Sequence, residues 1–265
     1  SAIAQIEVAV KTFWSKLGDN MPHPSVGDLG AVMAHIEVIH NDAYERLLEE
    51  LDLSDRFEEN LKLDIIENRV KYLRKHTHRY YKDSKKQYLY ALILFTLYVE
   101  NSSLFSQFYT ICYFNRFKNM LKDTTQQVTY TSREEAIHAL CGMRLFNDAA
   151  EEYPELIDDE FIAKIRHETQ EAYKAEAKII DWQLNGYSNE NISPEIVKNF
   201  VKKRLNDSLE LIGFDPVFDD IDPELLEKTT WFDEDVLGEM KTDFFHARPT
   251  EYAKNNRSFD PDELY

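Results

Sequence analysis

Tyr88-Leu-Tyr-Ala-Leu-Ile-Leu-Phe-Thr-Leu-Tyr-Val99 runs directly into Glu100, inside a stretch, 31–141, that holds neither glycine nor proline. Strands joined by tight turns need those residues as punctuation, so a stretch this long without them reads as long helices. The expected fold class is therefore all-α. The 88–99 run is apolar nearly all round, as suits a helix at the centre of a bundle. With 12 residues, Thr96 among them, it is too short to span a bilayer, and no membrane association is expected.

Around this central helix, expected over 87–122, the other segments fall at 2–17, 31–51, 55–82, 125–152, 157–185 and 194–212, with Asp19–Gly30 as a loop and 82–86 as a turn. Gly18, Pro154 and the pair Ser193-Pro194 supply stop and start signals. The helix over 55–82 carries a basic cluster, Lys71, Arg74, Lys75 and Arg79. After Gly213 the character changes: the remainder is acidic, holds four of the eight prolines and has little helical period. This divides the chain into a bundle domain, 1–212, and an extended C-terminal tail, 213–265.

The composition has 43% apolar and 13% aromatic residues, which indicates a globular chain with a sizeable core. A formal charge of −18 argues against an extended nucleic-acid footprint and suits a partner with a basic surface. The two cysteines, Cys112 and Cys141, form neither a CxxC pair nor a disulfide framework, so a reducing cytoplasm is the expected compartment. The chain opens with helix-like sequence, so no signal peptide is expected.

Glu37-Val-Ile-His40 and Glu135-Ala-Ile-His138 repeat one pattern. Residues three apart share a helix face, so each segment aims a carboxylate and an imidazole at one spot. Both pairs lie on apolar stripes, continued by Tyr44, Leu47, Leu48 and Leu51 in one case and by Cys141, Gly142 and Leu145 in the other. Glu100 and Glu7 are two further carboxylates in apolar helices, the latter on the face of Ile3, Val10 and Trp14. Buried without compensation, these groups cost several kcal/mol each. Separate salt bridges and satisfied core histidines are one solution, but they require four independent compensations. A single pair of cations supplies all of them. One Glu from each of two helices and Glu-x-x-His from each of two others is the pattern of di-iron and di-manganese carboxylate bundles. Two ions per chain are expected, bound by Glu7, Glu37, His40, Glu100, Glu135 and His138. Four carboxylates and two imidazoles favour iron or manganese over zinc or copper.

These motifs, with Glu37-Val-Ile-His40-Asn-Asp-Ala-Tyr44, Val99-Glu100 and Arg133-Glu-Glu135-Ala-Ile-His138, resemble the small, radical-generating subunit of class I ribonucleotide reductase, a ferritin-like bundle. The spacings Glu7 to Glu37 and Glu100 to Glu135 are similar as well. The resemblance implies that Tyr44, four residues after the first metal-binding histidine, carries a stable radical, and that Glu134 supports the site by accepting a hydrogen bond from His40 or steering protons. The ending resembles the family too, in Phe244-Phe-x-x-Arg248-Pro-x-Glu-Tyr252 and in Ser258-Phe-Asp-Pro-Asp-Glu-Leu-Tyr265. It implies a relay at Tyr252, a terminal peptide that docks on a large catalytic subunit, and a homodimer. Three positions depart from the pattern. The first ligand is Glu7 where the family often has Asp, and Glu134 is one methylene longer than the usual acid. No tryptophan precedes Glu7, so the electron path either starts upstream or runs differently. Two other readings stay open on the same bundle: a standalone di-metal oxidase or oxygenase, and a ferroxidase or iron-storage protein.

Overall fold

The computed structural model describes residues 12–21 and 23–238. Its described residues are almost entirely helical, with one isolated bridge between Asn189 and Ile192 as their only β pairing. A short helical turn, Trp14–Lys16 and Leu17–Asn20, leads to α1, Pro24–Glu50. This helix begins well inside the segment expected to be a loop. Pro24 occupies a first-turn position, where its fixed φ favours the helix, and the His23 side chain accepts a hydrogen bond from Ser25 N. Gly30 is a packing position here and does not break the helix. A Cβ at Gly30 would lie 2.5 Å from the carbonyl oxygen of Trp14 and 2.8 Å from Leu17 Cβ.

The helix expected over 55–82 is three pieces: α2, Ser54–Leu61; α3, Asp64–Leu73; and a 3₁₀ turn, Arg74–Thr77. Leu63 is extended between the first two, with no glycine or proline to announce the break. The central helix α4 runs from Ser84 to Lys118, earlier at both ends than expected. Asp83 caps its start, accepting from Lys86 N, and Asn119 ends it in the left-handed conformation. Its length and apolarity would suit a membrane span, but its most apolar window is wholly buried in the bundle, as expected of a core helix. Within it, Ile93–Ser103 is π-helical.

Helices α5, Lys122–Glu152, α6, Asp159–Leu184, and α7, Pro194–Leu211, follow close to the expected bounds. Asp158 and Ser193 cap the last two by accepting from Phe161 N and Ile196 N. Helix α5 lies against the π segment at Gly142, where any Cβ would fall inside the Thr96 side chain. A buried polar layer ties α3, α4 and α6 together: Arg69 Nε donates to Glu176 Oε1 at 2.9 Å and its Nη2 to Gln107 Oε1 at 2.6 Å.

An extended course from residue 213 does not hold for 214–236. Phe214, Val217 and Phe218 pack on the core, α8 forms over Pro223–Glu227, and Trp231, Phe232 and Val236 are buried. Scattered aromatics gave no helical period to read, yet each finds an apolar seat. Three arginines hold the end of this strap: Arg116 pairs with Asp235, Arg204 with Asp233, and Arg133 Nε donates to Val236 O at 2.8 Å. The tail residues from 239 onward, Tyr252 among them, lie outside the described residues.

Candidate metal centre

Helix α1 presents Glu37 and His40, α5 presents Glu135 and His138, and the π segment of α4 presents Glu100. All five are buried. A π turn often marks a functional site because it re-aims side chains relative to the regular helical ladder. Here Ser102 Oγ donates back to Leu97 O, while Arg204 Nε donates to Asn101 O at 2.8 Å, so the backbone beyond Glu100 is held by side chains. The ligating atoms of Glu37, Glu100, Glu135 and His138 all lie within 4.8 Å of one another. His138 Nδ1 is 2.9 Å from Glu37 Oε1 and 3.4 Å from Glu135 Oε2. His40 Nδ1 is 3.2 Å from Glu135 Oε1 and 3.7 Å from Glu37 Oε2. Both imidazoles thus turn Nδ1 to the carboxylates. Glu7 lies outside the described residues.

These groups suit a cation and not one another. Both oxygens of Glu37, both of Glu135, Glu100 Oε2 and both nitrogens of His138 are buried without a well-formed hydrogen bond among the described residues, although several stand at ion-pair distance. Charge is equally out of balance. Burial pushes the Glu100 carboxyl well above the usual carboxylate range. Burial also opposes ionisation of Glu37, but His138 and His40 hold it below the usual carboxylate range. Burial alone would lower His40; Glu134, Glu135 and Glu37 outweigh it and raise the ring to about 12. The carboxylates thus favour positive charge at the imidazoles, and a metal would supply that charge instead when its ligands deprotonate to bind it.

Around this cluster, His40 Nε2 donates to Glu134 Oε2 at 2.6 Å, and Glu134 is 42% exposed. Tyr44 is buried on α1, one turn beyond His40. Trp14, not singled out as a site residue in the sequence, donates from Nε1 to Glu100 Oε1 at 2.7 Å. Only its lone apolar-stripe setting was visible beforehand, because the contact joins residues 86 positions apart.

Residues 1–223 match the family model of the ribonucleotide reductase small chain. The chain belongs to that family. Ribonucleotide reductase small subunits are also among its relatives. A probable ribonucleoside-diphosphate reductase small subunit of Invertebrate iridescent virus 3 is 24% identical over 164 residues, 62% of this chain and 42% of that protein. The chain therefore spans less than half the length of this viral relative. A ribonucleoside-diphosphate reductase subunit beta of Halalkalibacterium halodurans is 21% identical over 97% of this chain and 74% of the relative. Among solved structures, a putative class I ribonucleotide reductase from Bacillus halodurans superimposes with a TM-score of 0.78 at 18% identity, covering 87% of this chain and 82% of that one. The likeness in fold identifies the bundle as ferritin-like.

Proposed function

We propose that this chain is the radical-generating subunit of a ribonucleoside-diphosphate reductase, an oxidoreductase that makes deoxyribonucleotides together with a large catalytic subunit. The observation that carries the reading is the buried cluster of three carboxylates and two imidazoles, short of hydrogen bonds, with Tyr44 one turn along α1. Glu37, His40, Glu100, Glu135 and His138 would hold two ions, with Glu7 as the sixth ligand. Their oxygen-rich donor set favours iron or manganese. When bound, such a pair supplies the one-electron oxidation chemistry that a phenol requires.

The chain's own residues supply position and seclusion. The Glu134 carboxylate keeps the His40 proton on Nε2 and leaves Nδ1 for the cluster. Burial keeps Tyr44 from water and outside reductants. A radical subunit acts on a partner, and the acidic terminal segment, Ser258–Tyr265, gives a docking peptide, with Tyr252 as relay. A homodimer belongs to this reading, and α1 leaves the apolar side chains of Val32, Val38 and Ile39 exposed. The free thiols of Cys112 and Cys141 suit a cytoplasmic setting. A standalone di-metal oxidase uses the same bundle, but such an enzyme has no need of a docking tail.

The test is low-temperature electron paramagnetic resonance after loading the full chain with Fe(II) or Mn(II) and an oxidant. A tyrosyl signal that disappears in Tyr44→Phe is expected. A metal-loaded, oxidised protein without any tyrosyl signal argues against the radical assignment.

A further inference from the structure

Glu100 has two carboxylate oxygens with unlike surroundings. Oε1 accepts the indole N–H of Trp14 at 2.7 Å, whereas Oε2 is buried with no hydrogen-bond partner among the described residues. An indole N–H is a donor and not a metal ligand, so it orients the carboxylate by one of the lone pairs on Oε1 without itself competing for an ion. The indole is fully buried and closely held. Phe95 meets it edge-on with centroids 5.9 Å apart, Phe13 does so at 5.8 Å, and the His138 ring lies 5.5 Å away. Its backbone is seated against Gly30 of α1, where there is no room for a side chain. The donor therefore comes from the turn before α1, is fixed by α1 and α4, and has Glu100 as its acceptor.

We propose that Trp14 is a positioning residue of the metal centre. By donating to Oε1, which also stands 3.6 Å from His138 Nδ1, it fixes the rotation of the Glu100 carboxylate within the cluster and leaves Oε2 without a hydrogen bond. This inference rests on the cluster being a metal centre, and its test keeps the two apart. The full chain, its Trp14→Phe variant and its Gly30→Ala variant are titrated with Co(II) by calorimetry, and the visible absorption of bound Co(II) reports the ligand geometry. The wild type should take up two ions. Trp14→Phe should keep that stoichiometry and its helical circular dichroism, bind one ion roughly 10–100-fold more weakly, and show altered Co(II) bands. Should Trp14→Phe unfold, Gly30→Ala retains the indole but displaces its backbone, and the same weakening and band change are expected. A variant that folds and binds both ions with wild-type affinity and spectrum overturns the positioning role. A wild type that takes up no Co(II) overturns the metal-centre reading itself.

Discussion

Nε2 of His40 lies 2.6 Å from Glu134 Oε2, and this contact decides which ring nitrogen faces the buried carboxylates. Glu134→Ala releases the ring to rotate or change tautomer, and metal affinity at the His40 side should fall roughly 10–100-fold. Glu134→Gln still offers an acceptor oxygen and should lose much less. Calorimetric titration of both variants checks this; equal affinities would mean that packing alone orients the ring.

Tyr44→Phe removes one hydroxyl and keeps the ring, so helical content and ion stoichiometry should be unchanged while the radical signal and ribonucleotide reduction vanish. Deleting Ser258–Tyr265 should leave the radical intact and lower activity through lost docking. Tyr252→Phe should preserve the Tyr44 signal and block its use by the partner. Paramagnetic resonance and turnover, measured on the same preparations, separate the three outcomes.

Gly142→Ala forces a methyl into the Thr96 side chain, which is itself buried and donates to Leu92 O at 2.8 Å. Overpacking of this kind costs about 1–3 kcal/mol. The melting temperature should drop, and the double variant Gly142→Ala/Thr96→Ala should recover much of it. Thermal denaturation of the two single variants and the double variant gives the coupling directly.

Arg69→Ala leaves Glu176 buried against Gln107 and Ser106 without its guanidinium, a change expected to cost about 3–5 kcal/mol. Arg69→Met with Glu176→Leu removes both charges and should restore most of the loss. Urea denaturation of the single and double variants decides whether the cost lies in the orphaned acid or in lost packing.

Glu168 supplies a dependence on pH. Burial works against its ionisation, but Lys164 and Lys75 outweigh burial and hold the carboxyl below its ordinary 4.5. A depressed folded-state value means that the stabilisation is fully present above about pH 4.5 and is lost as pH falls through the lower folded value. The stability gap between wild type and Glu168→Gln should be constant from pH 7 to 5 and close on further acidification. A gap that widens in acid would contradict the sign.

What could be read in advance was what periodicity carries. The bounds of α5, α6 and α7 follow from Pro154, Ser193-Pro194 and the apolar stripes, and the paired Glu-x-x-His segments put carboxylate and imidazole on buried faces. Close approach between distant elements has no such trace. Gly27 and Gly30 looked like loop residues because a glycine that admits a neighbouring backbone reads the same as one that ends a helix. The break at Leu63 has no punctuating residue. The π turn around Glu100 costs nothing in apolarity, although the run Asn101-Ser102-Ser103 was a polar hint within it. Trp14 and the strap at 214–236 depend on tertiary partners that a linear pattern does not name.

The burial of α4 also bears on time. A helix covered on every side exchanges its amide hydrogens only when the whole bundle opens, so Ile93–Ser103 should be among the slowest-exchanging backbone in the chain. Among the described residues, the Glu100 side of the site is closed over by the core. Glu134, beside His40, is 42% exposed, so exchange of a bound ion past the His40 end should follow fluctuations of α1 and α5 and not opening of the core.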